Sequence, residues 1–259
     1  MAINKESQSF TFIFATVMVV IVATVLSLAA MGLKEPQMEN QKQEQMQNIL
    51  ASIQVMVDRS EASAQFGNYV KKRLILNSNG EVVSEMEGPV KTLAADGKEA
   101  YDADGFNIDI KKQYRDKTLS ADQKKYPLFI CEKDGKTCYV IPLVGTGLWG
   151  PIWGFMALES DMNTIMGATF DHKTETPGLG AEINQSWFQE PFVGKKLFDD
   201  NGNFASIKVV KGGAAPDDTH GVDAITGGTI TSNGVTNMLK NTLEIYVPYF
   251  KKNSDIASI

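Results

Sequence analysis

Leu128-Phe129-Ile130-Cys131-Glu132-Lys133-Asp134-Gly135-Lys136-Thr137-Cys138-Tyr139-Val140-Ile141 reads as two β-strands folded back on a two-residue turn. Apolar and β-branched residues on both sides favour extended backbone. Asp-Gly between them is a strong hairpin signal, because both central positions of the tightest turn need positive φ. Counting outward from the turn pairs 133 with 136 and 131 with 138, so Cys131 faces Cys138. Opposed residues of that hydrogen-bonded kind have Cα atoms about 5.5 Å apart, within reach of a disulfide. A structural disulfide and a redox-active pair both stay open. Lys133 and Lys136 favour a thiolate, but no C-x-x-C spacing supports exchange chemistry.

Outward from this hairpin the same pattern repeats. Leu74-Ile75-Leu76, Asn79-Gly80 and Val82-Val83 form a second hairpin signal, and residues 152–159 and 207–210 read as further strands. Met238, Leu239, Thr242, Ile245 and Tyr246 recur at helical spacing, predicting a helix from near Val235 to Pro248. The expected class is α+β: mostly antiparallel strands flanked by helices.

Toward the N-terminus, residues 10–33 (FTFIFATVMVVIVATVLSLAAMGL) contain no charge. A helix of that length, at about 1.5 Å per residue, covers the ~30 Å hydrocarbon layer. Leu28-Ala29-Ala30-Met31 offers a signal-peptidase reading, but signal h-regions run only about 7 to 15 residues, which favours an uncleaved anchor. Lys5 on one side and Lys34 and Lys42 on the other leave its orientation undecided. The expected layout is an N-terminal tip at 1–9, a transmembrane helix at 10–33, a connecting helical segment at 34–72 and an α+β domain at 73–259. Within the connecting segment, Ile49, Leu50, Ile53, Met56 and Val57 mark one apolar face of an amphipathic helix.

The chain has 25 basic and 31 acidic residues, a net charge of −6. With no basic stripe to displace phosphate counterions, a nucleic-acid partner is excluded. Two cysteines are too few for a disulfide scaffold or a cysteine-ligated cluster. Residues 145–150 match the letters G-x-G-x-x-G, yet Pro151-Ile152-Trp153 follows where a dinucleotide site needs a helix. Those glycines instead allow close backbone approach beside Trp149, in a core or around a flat ligand. His172 and His220 have carboxylates nearby, but nothing in the spacing makes them meet, so neither a metal site nor a catalytic side chain is expected.

Two stretches remain. Glu175-Thr176-Pro177-Gly178-Leu179-Gly180 is either a surface turn or a backbone clamp presenting Leu179 to an apolar ligand. Residues 223–234 crowd Thr226, Thr229, Thr231 and Ser232 among small residues, and Thr231 or Ser232 is expected to cap the following helix. A phosphate attached just upstream would lie near that helix's positive end. Capping with no further role is the alternative.

The D-x-x-T-G-G-T pattern at 223–229 resembles the flavinylation motif of the FMN-binding subunits of the Nqr and Rnf complexes, whose usual form has Ala where Gly228 stands here. The likeness extends through G-x-G-L-W-x-P at 145–151, E-T-P-G-L-G at 175–180, W-F-Q-E-P-F-V-G-K-K-L-F at 187–198, Val210-Lys211-Gly212-Gly213 and H-G-V-D at 220–223. Length and the Leu148-Trp149 segment are more similar to the C subunits of Nqr than to the G subunits of Rnf. The resemblance implies FMN bonded through its phosphate to Thr229, with Thr226, Gly227 and Gly228 around the bond. It further implies Leu148, Trp149, Glu175, Thr176, Leu179 and Lys211 as residues lining the flavin or supporting its phosphate. The implied role is electron transfer within a six-subunit Na+-translocating NADH:quinone oxidoreductase of the bacterial inner membrane. The globular domain would be periplasmic, and a flavin transferase would act during maturation. Partners would be the other subunits and the lipid bilayer. Competing readings are the G subunit of an Rnf complex, a membrane-anchored flavin-binding regulatory module, and a structural anchor with no cofactor.

Overall fold

The computed structural model describes residues 7–254, so most of the expected tip at 1–9 lies outside the described residues. The chain divides into two units, 1–45 and 46–259. In the first, helix α1 (Gln8–Ser52) begins where Ser7 accepts the N–H of Phe10 at 3.2 Å, and its apolar stretch is long enough to cross a membrane. Thr16 and Thr24 donate their hydroxyls to the carbonyls of Phe12 and Val20 at 2.8 Å, so neither leaves a polar group unpaired there.

The last turns of α1 belong to the second unit, where Met46, Ile49 and Leu50 are buried. The predicted amphipathic helix through Val57 is corrected here: α1 stops at Ser52, Gln54 takes φ 59°, and Met56 is 81% exposed. Ile53 stays buried, and a new helix α2 (Ala62–Tyr69) follows.

The second unit is built on six strands: β1 (Val70–Leu76), β2 (Val82–Glu87), β3 (Tyr126–Lys133), β4 (Lys136–Thr146), β5 (Pro151–Leu158) and β6 (Ile165–His172). They pair antiparallel in the order β2-β1-β3-β4-β5-β6. Asp134 and Gly135 have φ of 52° and 74°, as a tight β3–β4 turn requires, and Cys131 pairs with Cys138 as the outward count predicts. Helices α3 (Leu93–Ala103) and α4 (Ile110–Arg115) fill the connection between β2 and β3.

Alternation sends Leu128, Ile141, Leu143, Ile152 and Met156 to one face and Phe129, Cys131, Cys138, Val140 and Phe155 to the other. The first face packs on α6 (Thr229–Asn253) through Val235, Met238, Leu239, Leu243 and Tyr246. Ile49, Leu50, Ile53, Phe66 and Phe106 cover the second. Each such side chain contributes about 1.5–3 kcal/mol on full burial. Beyond β6, helix α5 (Ser186–Gln189) adds Phe188 to a ring cluster with Phe170 and Phe192. A short parallel pair, β7 (Lys208–Val210) and β8 (Gly221–Asp223), leads back toward α6.

α6 departs from its predicted bounds at both ends. It begins at Thr229, six residues before Val235, and no side chain caps it. It also continues through Pro248 to Asn253, because Tyr249 and Phe250 are buried and their packing outweighs the bond that proline removes.

Candidate functional site

The turn between β4 and β5 is closed by the N–H of Gly147 donating to Gly150 at 2.8 Å. From its tip, Trp149 donates its backbone N–H to Glu175 Oε1 at 2.8 Å, while Thr174 Oγ1 donates to the Trp149 carbonyl at 3.0 Å. The other oxygen of Glu175 accepts the Thr231 hydroxyl at 2.7 Å, on the first turn of α6. One buried carboxylate therefore joins three segments distant in sequence. Glycines make room for it: a Cβ on Gly147 would sit 2.6 Å from Glu175 Oε1, and one on Gly180 would meet both Glu175 Oε2 and the Thr231 hydroxyl.

Around this joint lies a cavity of about 240 Å³, walled by Leu148, by Glu175, Thr176, Leu179 and Gly180, and by residues 227–231. The sequence-predicted Leu148, Glu175, Thr176, Leu179, Gly227, Gly228 and Thr229 are thus brought together. Trp149, Thr226 and Lys211 do not line the cavity, and all three are exposed. Large apolar side chains nevertheless stand open to solvent at this end of the domain: Trp149 at 65%, Ile230 at 57%, Leu148 at 47% and Leu179 at 41%. Grouped exposed apolar surface of this kind marks a place where something binds. A second cavity, of about 430 Å³, runs further along α6 between Tyr114, Tyr126 and Tyr246 and touches the 145–151 motif only at Gly145 and Thr146.

The expected cap is corrected. Gly228 occupies the capping position, Thr231 is committed to Glu175, and Ser232 Oγ accepts the N–H of Ile225 at 3.3 Å. Both hydroxyl residues are buried inside the helix's first turn. Thr229, at its first position, is half-buried and lines the cavity, and no hydrogen bond holds its hydroxyl among the described residues. The first-turn N–H groups of a helix have no intrahelical acceptor, so this corner carries partial positive charge. His172 accepts the Glu175 N–H at Nδ1 within its own loop, and His220 bonds the Lys196 carbonyl, 24 residues away, at 2.6 Å. The Glu175–Thr231 bond is what sequence reasoning missed, since no spacing signals it.

Residues 147–244 match the FMN-binding domain family, the span that contains this cavity's walls. Over 249 residues the chain is 33% identical to the C subunit of the Na(+)-translocating NADH-quinone reductase of Vibrio parahaemolyticus, covering 91% of this chain and 90% of the other. It is 34% identical to the C subunit of the same reductase from Neisseria meningitidis serogroup B, over 96% and 95% of the two chains. The chain belongs to the family of C subunits of the Na(+)-translocating NADH-quinone reductases. A solved C subunit of this reductase from Parabacteroides distasonis superposes with a TM-score of 0.70 at 40% identity, covering 84% of this chain and 96% of that one. The fold is therefore shared with that solved C subunit over 84% of this chain.

Proposed function

We propose that this C subunit serves its reductase in electron transfer, holding FMN covalently through a phosphoester to Thr229 and relaying electrons toward quinone. The observation that carries this reading is the contrast among neighbouring hydroxyls. Thr231 and Ser232 are buried and hydrogen-bonded, and Thr226 lies outside the cavity wall. Thr229 combines a place on the cavity wall with an uncommitted hydroxyl among the described residues. When bound, FMN supplies reversible one- and two-electron chemistry, and the protein supplies tether, orientation and polarity.

The residues present fit that group. The open N-terminus of α6 favours a phosphate, and Leu148, Leu179, Ile230 and Trp149 offer apolar surface to a flat ring. Both oxygens of Glu175 already accept protein hydrogen bonds, so its part is to hold the cavity's walls in place. Lys211, exposed after β7, is proposed to serve the phosphate by charge. In this reading residues 10–33 cross the inner membrane and 73–259 lie on its outer side. The remaining five subunits of the complex are the partners, and a flavin transferase makes the bond.

Mass spectrometry of the tryptic peptide containing Thr229, from protein made beside a flavin transferase, tests the assignment. The expected adduct is FMN on Thr229, absent in a folded Thr229→Ala variant and retained in Thr226→Ala. An adduct that persists in Thr229→Ala overturns it.

A further inference from the structure

The chain's two cysteines have no part in the flavin reading. Cys131 in β3 and Cys138 in β4 are direct partners across the two central strands of the sheet. Both are free thiols, both are buried, and both lie on the face packed against Ile49, Leu50, Ile53 and Phe66. The tight turn at Asp134-Gly135 leaves little slack between them. Lys133 and Lys136 pair nearest the turn, which makes 131 and 138 a hydrogen-bonded pair, whose Cα atoms stand about 5.5 Å apart. That separation lies within the range disulfides occupy. As the sole cysteines in the sequence, they have no competing partner.

We infer that Cys131 and Cys138 form a disulfide in the mature protein, a staple across the middle of the sheet. The oxidant is an external disulfide, of the protein or small-molecule kind that an extracytoplasmic compartment maintains. Cys138 is the attacking thiol. The hydrogen bond from the Cys131 thiol pulls it below the ordinary thiol range, and the nearby Lys133 ammonium adds to this, while the same bond and burial push Cys131 up.

In the first step the Cys138 thiolate attacks one sulfur of the external disulfide, forming a mixed disulfide and releasing one thiolate. Cys131 then gives its proton to that leaving thiolate and attacks Cys138 Sγ, which closes the intramolecular bond and releases the second thiolate; this takes back from water the proton that Cys138 gave up on ionising. The two cysteines lose two electrons and two protons, and the external disulfide becomes a dithiol. With both sulfurs buried in the finished domain, exchange is fastest while the hairpin is formed but not yet covered. The staple then pins register, since a one-residue slip of either strand would send its core side chains to the wrong face.

This inference rests on the placement of the domain outside the cytoplasm. The full-length chain is acid-quenched in its membranes and alkylated under denaturing conditions with a light maleimide. It is then reduced, alkylated with a heavy maleimide, and digested for mass spectrometry. Both cysteines are expected to carry the heavy label alone, and the unreduced 131–138 peptide pair to be two hydrogens lighter than the dithiol. In parallel, purified reduced protein is exposed to oxidised glutathione, with intramolecular closure expected. Light label in cells combined with closure in vitro overturns the inference together with the extracytoplasmic placement. Light label in cells and only glutathione adducts or unreacted thiols in vitro overturn it on geometry. Covalent flavin, read by in-gel fluorescence of the same sample, reports separately on Thr229.

Discussion

Thr231 reaches Glu175 across 56 residues of sequence, its hydroxyl donating to the carboxylate at 2.7 Å in a site closed to solvent. The same carboxylate fixes the Trp149 amide, so two of the cavity's three walls hang on it. Glu175→Gln substitutes one acceptor oxygen by an NH2 that meets a donor. Leaving a buried donor unpaired costs about 1–3 kcal/mol, and hydrogen bonds to charged groups sit toward the upper end. Urea denaturation should show that loss, and covalent flavin should persist with a shifted absorption spectrum. Stability and spectrum both unchanged would remove Glu175 from its joining role.

Adjacent glycines on the proposed attachment loop should respond differently to alanine. Gly227 has φ 76°, and a Cβ there would stand 2.7 Å from Leu179 Cδ2. Left-handed backbone costs a non-glycine residue about 1–2 kcal/mol, and here the cavity wall must also move. Gly228 has φ −99°, open to any residue, and its added Cβ would meet Ile225 Cγ2 and Cβ at 3.0 and 3.1 Å. Gly227→Ala is expected to lower both stability and flavin incorporation, and Gly228→Ala, which needs no left-handed backbone, to cost less than Gly227→Ala. Equal effects in thermal melts would refute the distinction.

Trp149→Ala and Leu179→Ala should leave the proposed covalent attachment intact, because neither side chain carries the hydroxyl proposed to form it. Each removes exposed apolar surface beside the cavity, so the flavin's absorption maximum and reduction potential are expected to shift. Spectroelectrochemistry of the two variants decides it. If neither observable moves in either variant, the exposed patch serves another purpose.

Tyr246 donates its hydroxyl to the Pro127 carbonyl at 2.8 Å from a fully buried position in α6. Burial first, and then the neighbouring Tyr126, push its phenol far above the ordinary tyrosine range. A folded pKa above the unfolded value means stability that is complete below about pH 10 and is lost as pH rises past it. Tyr246→Phe should cost about 1 kcal/mol at pH 8 through the lost hydrogen bond. The variant should then lose less than the parent between pH 10 and 11.5 in urea titrations. Parallel pH profiles would contradict this account.

How much was legible in the sequence depended on how local the cause was. The β3–β4 hairpin could be read down to its register because two residues, Asp134 and Gly135, set it. α6 was recognisable by its spacing but not by its ends. Its start has a glycine where a side-chain cap was expected, and its finish runs through a proline that tertiary packing tolerates. Met56 matched a helical face that the turn at Gln54 interrupts. The loops of the candidate site were visible as turns and small-residue runs, and their convergence on Glu175 was not, because nothing within 147–150 or 175–180 encodes a partner at 231.

That convergence bears on the order of events in the protein's making. No wall of the cavity is complete until the turn at 147–150, the loop at 175–180 and the start of α6 have met, so the cavity cannot exist on a nascent or partly collapsed chain. A modifying enzyme that senses the assembled walls would load only finished molecules, and cofactor occupancy would then serve as a certificate of correct folding.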